Sequence, residues 1–207
     1  MKKFILIFAL IITSDYSIAA IQKSVNRSQA QKVAFDTKNS MQLRWRTVTA
    51  YGKNYPNEAK PFLEKALKSP EWFMRNAAVL VLPYAERSWA ISWLEKMMSD
   101  PALVVRTAAV QATEQMGGIE LQSLLWTKLY SRENYHRSSS LWIRKHILET
   151  LSAFATTNDV DKFIQVLKDD DQNLHSVSLA TLKKLTRQDY RNYADWKVWK
   201  NKNSIIR

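Results

Sequence analysis

The chain has 207 residues, 31 Lys and Arg against 19 Asp and Glu, a formal charge of +12, three glycines, five prolines and no cysteine. That composition excludes disulfides, thiolate-held zinc and a lipid-modified cysteine, and so few glycines suit neither an all-β chain nor a phosphate-cradling loop. The positive charge calls for an anionic partner: nucleic acid, lipid headgroups, an envelope polymer or an acidic protein.

The first residues read as a secretory signal. Lys2 and Lys3 precede an apolar run over residues 4–12, too short to span a bilayer, and Ser17-Ile18-Ala19 offers the small residues of a cleavage site. Removing residues 1–19 takes away Lys2, Lys3 and Asp15 and leaves 29 basic against 18 acidic side chains. An exported protein is expected, in the periplasm first and extracellular or surface-associated second, with no transmembrane segment in the mature chain. Export disfavours nucleic acid among the anionic partners. Residues 20–40 are polar, with scattered apolar residues that include Val25, Val33 and Phe35. They form either a linker or a short helix that caps the helices beginning at residue 41.

From residue 41 the chain repeats. Arg44, Arg75, Arg106, Arg144 and His175 stand at steps of 31, 31, 38 and 31 residues. An apolar residue precedes each: Leu43, Met74, Val105, Ile143 and Leu174. Four residues beyond come Val48, Val79, Val110, Leu148 and Leu179. Two later columns are Leu63, Leu94, Leu125, Phe163 and Ala194, then Leu67, Met98, Leu129, Leu167 and Val198. The spacings place each column on one helix face, so every period holds two helices that need a neighbour to bury their stripes.

Punctuation agrees with this period. Ser69-Pro70, Ser88 and Asp100-Pro101 are expected helix starts, Pro83 should end or kink its helix, and Gly117-Gly118 is a stop. The 38-residue step holds seven extra residues within 130–137, in the turn between helices. That insertion contains Tyr130, Arg132, Tyr135, His136 and Arg137. At the end, Trp196 and Trp199 are expected to cover the last open face, with Ala194 and Val198 keeping the period.

Val105-Arg106-Thr107-Ala108-Ala109 after Asp100-Pro101, and Met74-Arg75-Asn76-Ala77-Ala78 after Ser69-Pro70, resemble the start of the second helix of a HEAT repeat. Trp142-Ile143-Arg144 keeps the apolar–Arg pair, and Leu174-His175 loses the arginine. The resemblance covers residues 41–203 and makes 41–207 one HEAT-repeat domain. It implies an all-α fold, an α-α superhelix of about five helix pairs. It also implies that an anchor arginine pairs with an Asp at the repeat turn, here Asp100 with Arg106, and that all five anchors are structural. About function the family is nearly silent.

No catalytic motif stands out. His136, His146 and His175 lack metal-ligand spacing, and no P-loop, G-x-G-x-x-G or G-x-S-x-G occurs. Asp169-Asp170-Asp171 falls where a helix should start and reads as a cap. Neither a cofactor nor a metal is expected, and the chain reads as no enzyme. The leading reading is an exported scaffold or adaptor that binds another macromolecule, a protein in the first place and an acidic one among the options. The contact residues would be Tyr130, Arg132, Tyr135, His136 and Arg137 of the insertion, with Trp45, Arg46 and Lys145 on the anchored helices. An anionic envelope surface is a further possible contact. Two other readings stay open: a nucleic-acid-binding protein resembling HEAT-like DNA glycosylases, which are also basic and rich in Trp, and a HEAT-like lyase. Neither can be matched residue by residue.

Overall fold

A computed structural model describes residues 27–204; residues 1–19, expected to be a secretory signal, and the first part of the polar stretch lie outside the described residues. Among the described residues the regular structure is helical apart from one two-stranded hairpin. Its helices pack against neighbours in the manner of a HEAT-like solenoid. Two compact units divide at Ala90 and Ile91.

In the first unit, α1 (Arg27–Phe35) lies on α2 (Met41–Asn54), α2 packs on α4 (Trp72–Val79), and α3 (Lys60–Leu67) fills in beside them. Val48, Phe62, Leu63, Met74, Ala77 and Ala78 are fully buried. Burying one such large apolar side chain is worth about 1.5–3 kcal/mol. The small pair Ala77-Ala78 lets α4 approach its neighbours closely. Gly52 does the same on α2: a Cβ there would lie 2.6 Å from Val81 Cγ2 and 3.0 Å from Leu63 Cδ2. Leu43 departs from its column and is 46% exposed. Pro83 falls in a short 3-10 turn, Leu82–Tyr84, after α4 has ended at Val79.

The second unit contains most of α5 (Arg87–Met97), then α6 (Leu103–Met116), α7 (Ile119–Leu129), α8 (Ile143–Phe154), α9 (Val160–Val166), α10 (Gln172–Thr186) and α11 (Tyr193–Ser204). Helix α6 packs on α8, and α8 on α10; α7, α9 and α11 form the other layer. Val105, Leu121, Leu125, Leu129, Leu148 and Phe163 are at most 1% exposed and make its core. Gly117 caps α6 at φ 60°, in the backbone region that glycine enters at no steric cost.

The expected helix starts shift by a few residues for one reason. Ser69 Oγ accepts from Glu71 N, Asp100 Oδ1 from Ala102 N and Asp169 Oδ1 from Asp171 N, at 3.2, 2.9 and 3.0 Å. A side-chain bond to the amide two residues on builds a turn, not a first helical turn. So α4, α6 and α10 each start three residues after that side chain. Asp171 then serves as the N-cap of α10, accepting from Asn173 N at 3.0 Å. For α5 the cap is Glu86 and not Ser88. The Glu86 carboxylate accepts from Ser88 Oγ, Ser88 N and Trp89 N at 2.6, 2.7 and 3.2 Å. Those bonds, the hydroxyl's first, hold its pKa at about 2.

The last helix also leaves the expected register. Helix α11 starts 18 residues after His175, whereas α9 starts 16 after Arg144. Two residues turn a helix by about 200°. Ala194 and Val198 therefore face solvent, Val198 at 54%, and Trp196 takes the core position with no exposed surface. Trp196 Nε1 donates to Tyr190 O at 3.2 Å, and its ring meets Tyr190 and Trp199 edge-on at 5.2 and 5.5 Å. Among the described residues no helix is long and apolar enough to cross a membrane.

Candidate functional site

The anchor column serves the fold. Arg75 Nη1 donates to Ser69 O and Pro70 O at 2.8 and 2.9 Å, and Arg106 Nη1 to Asp100 O and Pro101 O at 2.7 and 3.2 Å. His175 Nε2 donates to Asp169 O, again six residues back, at 2.7 Å. Each of these anchors thus pins the turn that leads into its own helix. Arg44 differs: its Nε donates to Ala34 O at 2.9 Å, closing α1, while both terminal nitrogens grip the Glu71 carboxylate.

The insertion of the 38-residue step folds into a defined object. A 3-10 turn, Arg132–Asn134, leads into a hairpin in which Tyr135 pairs with Ser140 and His136 with Ser139. Arg137 and Ser138 form its two-residue tip at φ 47° and 69°. Positive φ at both central positions belongs to the type I′ turn, whose hand matches strand twist and whose preferred residues are Asn-Gly.

Two buried arginines hold this hairpin from below. Arg106, 4% exposed, donates from Nε to Asn134 Oδ1 at 3.1 Å and from Nη2 to Glu133 O at 2.8 Å. Its Nη1 bond to the Asp100 carbonyl replaces the expected pairing with the Asp100 carboxylate. Asn134, 1% exposed, completes the joint: its Nδ2 donates to Lys128 O at 2.8 Å, and its carbonyl accepts from Leu141 N at 3.0 Å. Arg144, 1% exposed, lies 4.5 Å from the Tyr135 ring and 5.4 Å from the Tyr130 ring. It donates to Leu129 O at 2.9 Å, to Ser140 Oγ at 3.1 Å and to both carboxylate oxygens of Asp169. Ser140 Oγ donates in turn to Asp171 Oδ2 at 2.5 Å.

These contacts set the electrostatics. Burial pushes the Arg106 guanidinium below its ordinary value, since its bonded partners are neutral carbonyls and an amide. Burial pulls Arg144 down as well, but the Asp169 hydrogen bond and charge more than reverse that, and its pKa rises. Asp169 and Asp171 are both raised by burial and lowered more strongly by their donors, Arg144 for one and Ser140 for the other, so both end below the usual carboxylate range. Burial raises the Tyr135 hydroxyl.

The structure brings Arg132, Tyr135, His136 and Arg137 together around one surface depression with Ser138. Arg132, His136 and Arg137 are exposed, and Tyr130 is 49% exposed. A second depression shares Tyr135 and Ser138 and continues over Lys168, Asp169, Asp170 and Asp171. The hairpin therefore borders two depressions, one lined by Arg132, His136 and Arg137 and the other by three aspartates together with Arg144 and Lys168. Lys145 is exposed on α8 and pairs with Glu149 at 3.2 Å. In the first unit Arg46 is exposed, and Trp45 Nε1 donates to Asn76 Oδ1 at 3.0 Å across a separation of 31 residues.

Sequence reasoning missed Asn134 and Glu71. Neither fits a motif, and only the folded turn places them under the anchor column. Trp142, 58% exposed beside the hairpin, is hidden in the sequence by the apolar–Arg pair that comes directly after it.

No curated protein matches the chain. The family model described as HEAT repeats matches residues 32–114. HEAT repeats suggest a helical scaffold for protein interaction, and the packing of α2 on α4 and of α6 on α8 is of that kind. Residues 32–114 of this chain are HEAT repeats.

Proposed function

We propose that this chain is an exported, non-catalytic HEAT-repeat scaffold, that it works in the periplasm, and that it binds another protein with the hairpin of its 38-residue step. The observation that carries the reading is the way the hairpin is held. The two arginines are repeat anchors that the fold needs in any case, and the buried Asn134 joins the hairpin to them, so that the insertion is fixed in one shape. A contact loop gains from this, because a surface fixed beforehand loses little entropy on binding. The exposed side chains around it, Tyr130, Arg132, Arg137 and Trp142, are of the types that dominate binding energy at interfaces. Export rests on residues 1–19 of the sequence.

The nucleic-acid reading finds less support. Stacking on bases needs open aromatic faces. Lysines cover one face of Trp89, Trp93 and Trp126, at 5.8, 4.8 and 5.5 Å, which leaves Trp72 and Trp142 as the exposed tryptophans, and the expected export speaks against nucleic acid as partner.

A photoreactive residue in place of His136 tests the reading in envelope extract, with the same residue in place of the exposed Glu114 on α6 as control. One protein cross-linked from position 136 and not from 114 is expected. Equal labelling from both positions, or none, would overturn it.

A further inference from the structure

Resting on that reading of the hairpin, we infer that its partner presents a short acidic segment, with carboxylates that enter the hollow formed by Arg132, His136 and Arg137. Two guanidinium groups and an imidazole line that hollow and no carboxylate does. Among the described residues none of the three side chains is committed to a hydrogen bond or ion pair. Guanidinium forks match carboxylate oxygens in geometry as well as in charge.

The tip supplies an independent argument. Arg137 sits at φ 47° and Ser138 at φ 69°, where side chains with a Cβ are disfavoured and Asn-Gly would fit with least strain. A cation held at a strained tip position marks a place where local stability gives way to contact.

The exposed carboxylate of Asp170 helps to decide between kinds of anion. Asp170 is exposed in the second depression, beside Asp169 and Asp171. A long polyanion or a flat anionic membrane that extended from the first depression into the second would meet the exposed Asp170 as well as the cations. A short acidic segment occupies the first depression alone.

The test titrates the full chain into a fluorescein-labelled decapeptide carrying six glutamates, into labelled duplex DNA and into phosphatidylglycerol vesicles. The comparison variant combines Arg132→Gln with Arg137→Asn, both at exposed positions, and its melting curve verifies the fold. We expect the peptide to bind more tightly than the other two probes and to weaken at least about tenfold in the variant. Asp170→Asn should leave the peptide within about twofold while strengthening DNA and vesicle binding. Peptide affinity unchanged in the double variant overturns the inference, and so does tighter binding of DNA or vesicles by the unaltered chain. If position 136 cross-links a protein whose capture survives Arg132→Gln with Arg137→Asn, the acidic partner is wrong and the scaffold reading stands. If the peptide binds as expected but position 136 captures no protein, it is the scaffold reading that fails.

Discussion

Arg106 and Arg144 hold the same place in successive repeats, are 4% and 1% exposed, and are satisfied in opposite ways. Arg144 pairs its charge with a carboxylate, Asp169, as Arg44 does with Glu71. Arg106 bonds only neutral groups: the carbonyls of Asp100, Pro101 and Glu133, and the amide of Asn134. The repeat signature specifies a buried guanidinium at this position but not its partners. Where the chain lengthens by seven residues, the inserted turn supplies what a carboxylate supplies elsewhere. The hairpin is in that sense part of the repeat's own hydrogen bonding, and its exposed tip is left free for contact.

Breaking the two anchors separates the two modes. Arg144→Ala should cost the most, about 3–5 kcal/mol in urea unfolding, because it strands Asp169 at 12% side-chain exposure without its counter-ion. Joint replacement, Arg144→Met with Asp169→Asn, should recover part of that loss, because asparagine removes the stranded charge and keeps an oxygen for the Asp171 amide. Arg106→Ala should cost about 2–3 kcal/mol, since neutral acceptors lose less than a stranded charge does. Being buried, Arg106 should affect stability before binding; unchanged melting with lost partner capture would contradict the structural role given to it.

Acid sharpens the same contrast. Asp169 and Asp171 have folded pKa values below those of the unfolded chain. The unfolded state therefore binds more protons in the acid range, and stability falls as pH drops. Their contribution is complete above the unfolded value of about 4 and disappears as pH falls through the folded values. Between pH 7 and pH 3 the cost of Arg144→Ala should shrink while that of Arg106→Ala stays nearly constant. Parallel curves for the two variants would mean that the Asp169 pair contributes nothing special.

Smaller effects probe the hairpin and the close approach in the first unit. Gly52→Ala should destabilise by about 1–3 kcal/mol despite alanine's higher helix propensity, because its Cβ collides with Val81. Asn134→Ala should cost about 1–3 kcal/mol, because it leaves Arg106 Nε unpaired in a buried place and removes one of the donors to Lys128 O. Arg137→Asn with Ser138→Gly should raise stability by up to about 1 kcal/mol, by relieving a non-glycine type I′ tip. A fall in melting temperature would show that the tip residues are held by contacts that the positive φ values do not reveal.

Much of the architecture was legible because it is periodic. A column such as Leu63, Leu94, Leu125 and Phe163 declares a helix face whatever the loops do, and each of these four is fully buried. The same ruler failed at Val198, where a later helix start rotated the face outward. It failed at the caps as well, because choosing between a turn and a first helical turn depends on which amide a side chain reaches. The insertion could be located by counting. Its hairpin could not be foreseen, since two short pairs of residues carry no period of their own.

The sequence by itself determined the repeat, the anchor column, the length and place of the insertion and the excess of positive charge, because these are properties of spacing and composition. Only the tertiary structure decided that Asn134 lies beneath the hairpin, that Asp169 belongs to Arg144, and that Arg132, His136 and Arg137 share one hollow while the aspartates line another. Those are matters of distance between side chains far apart in the chain, and distance is set by how the helices stack.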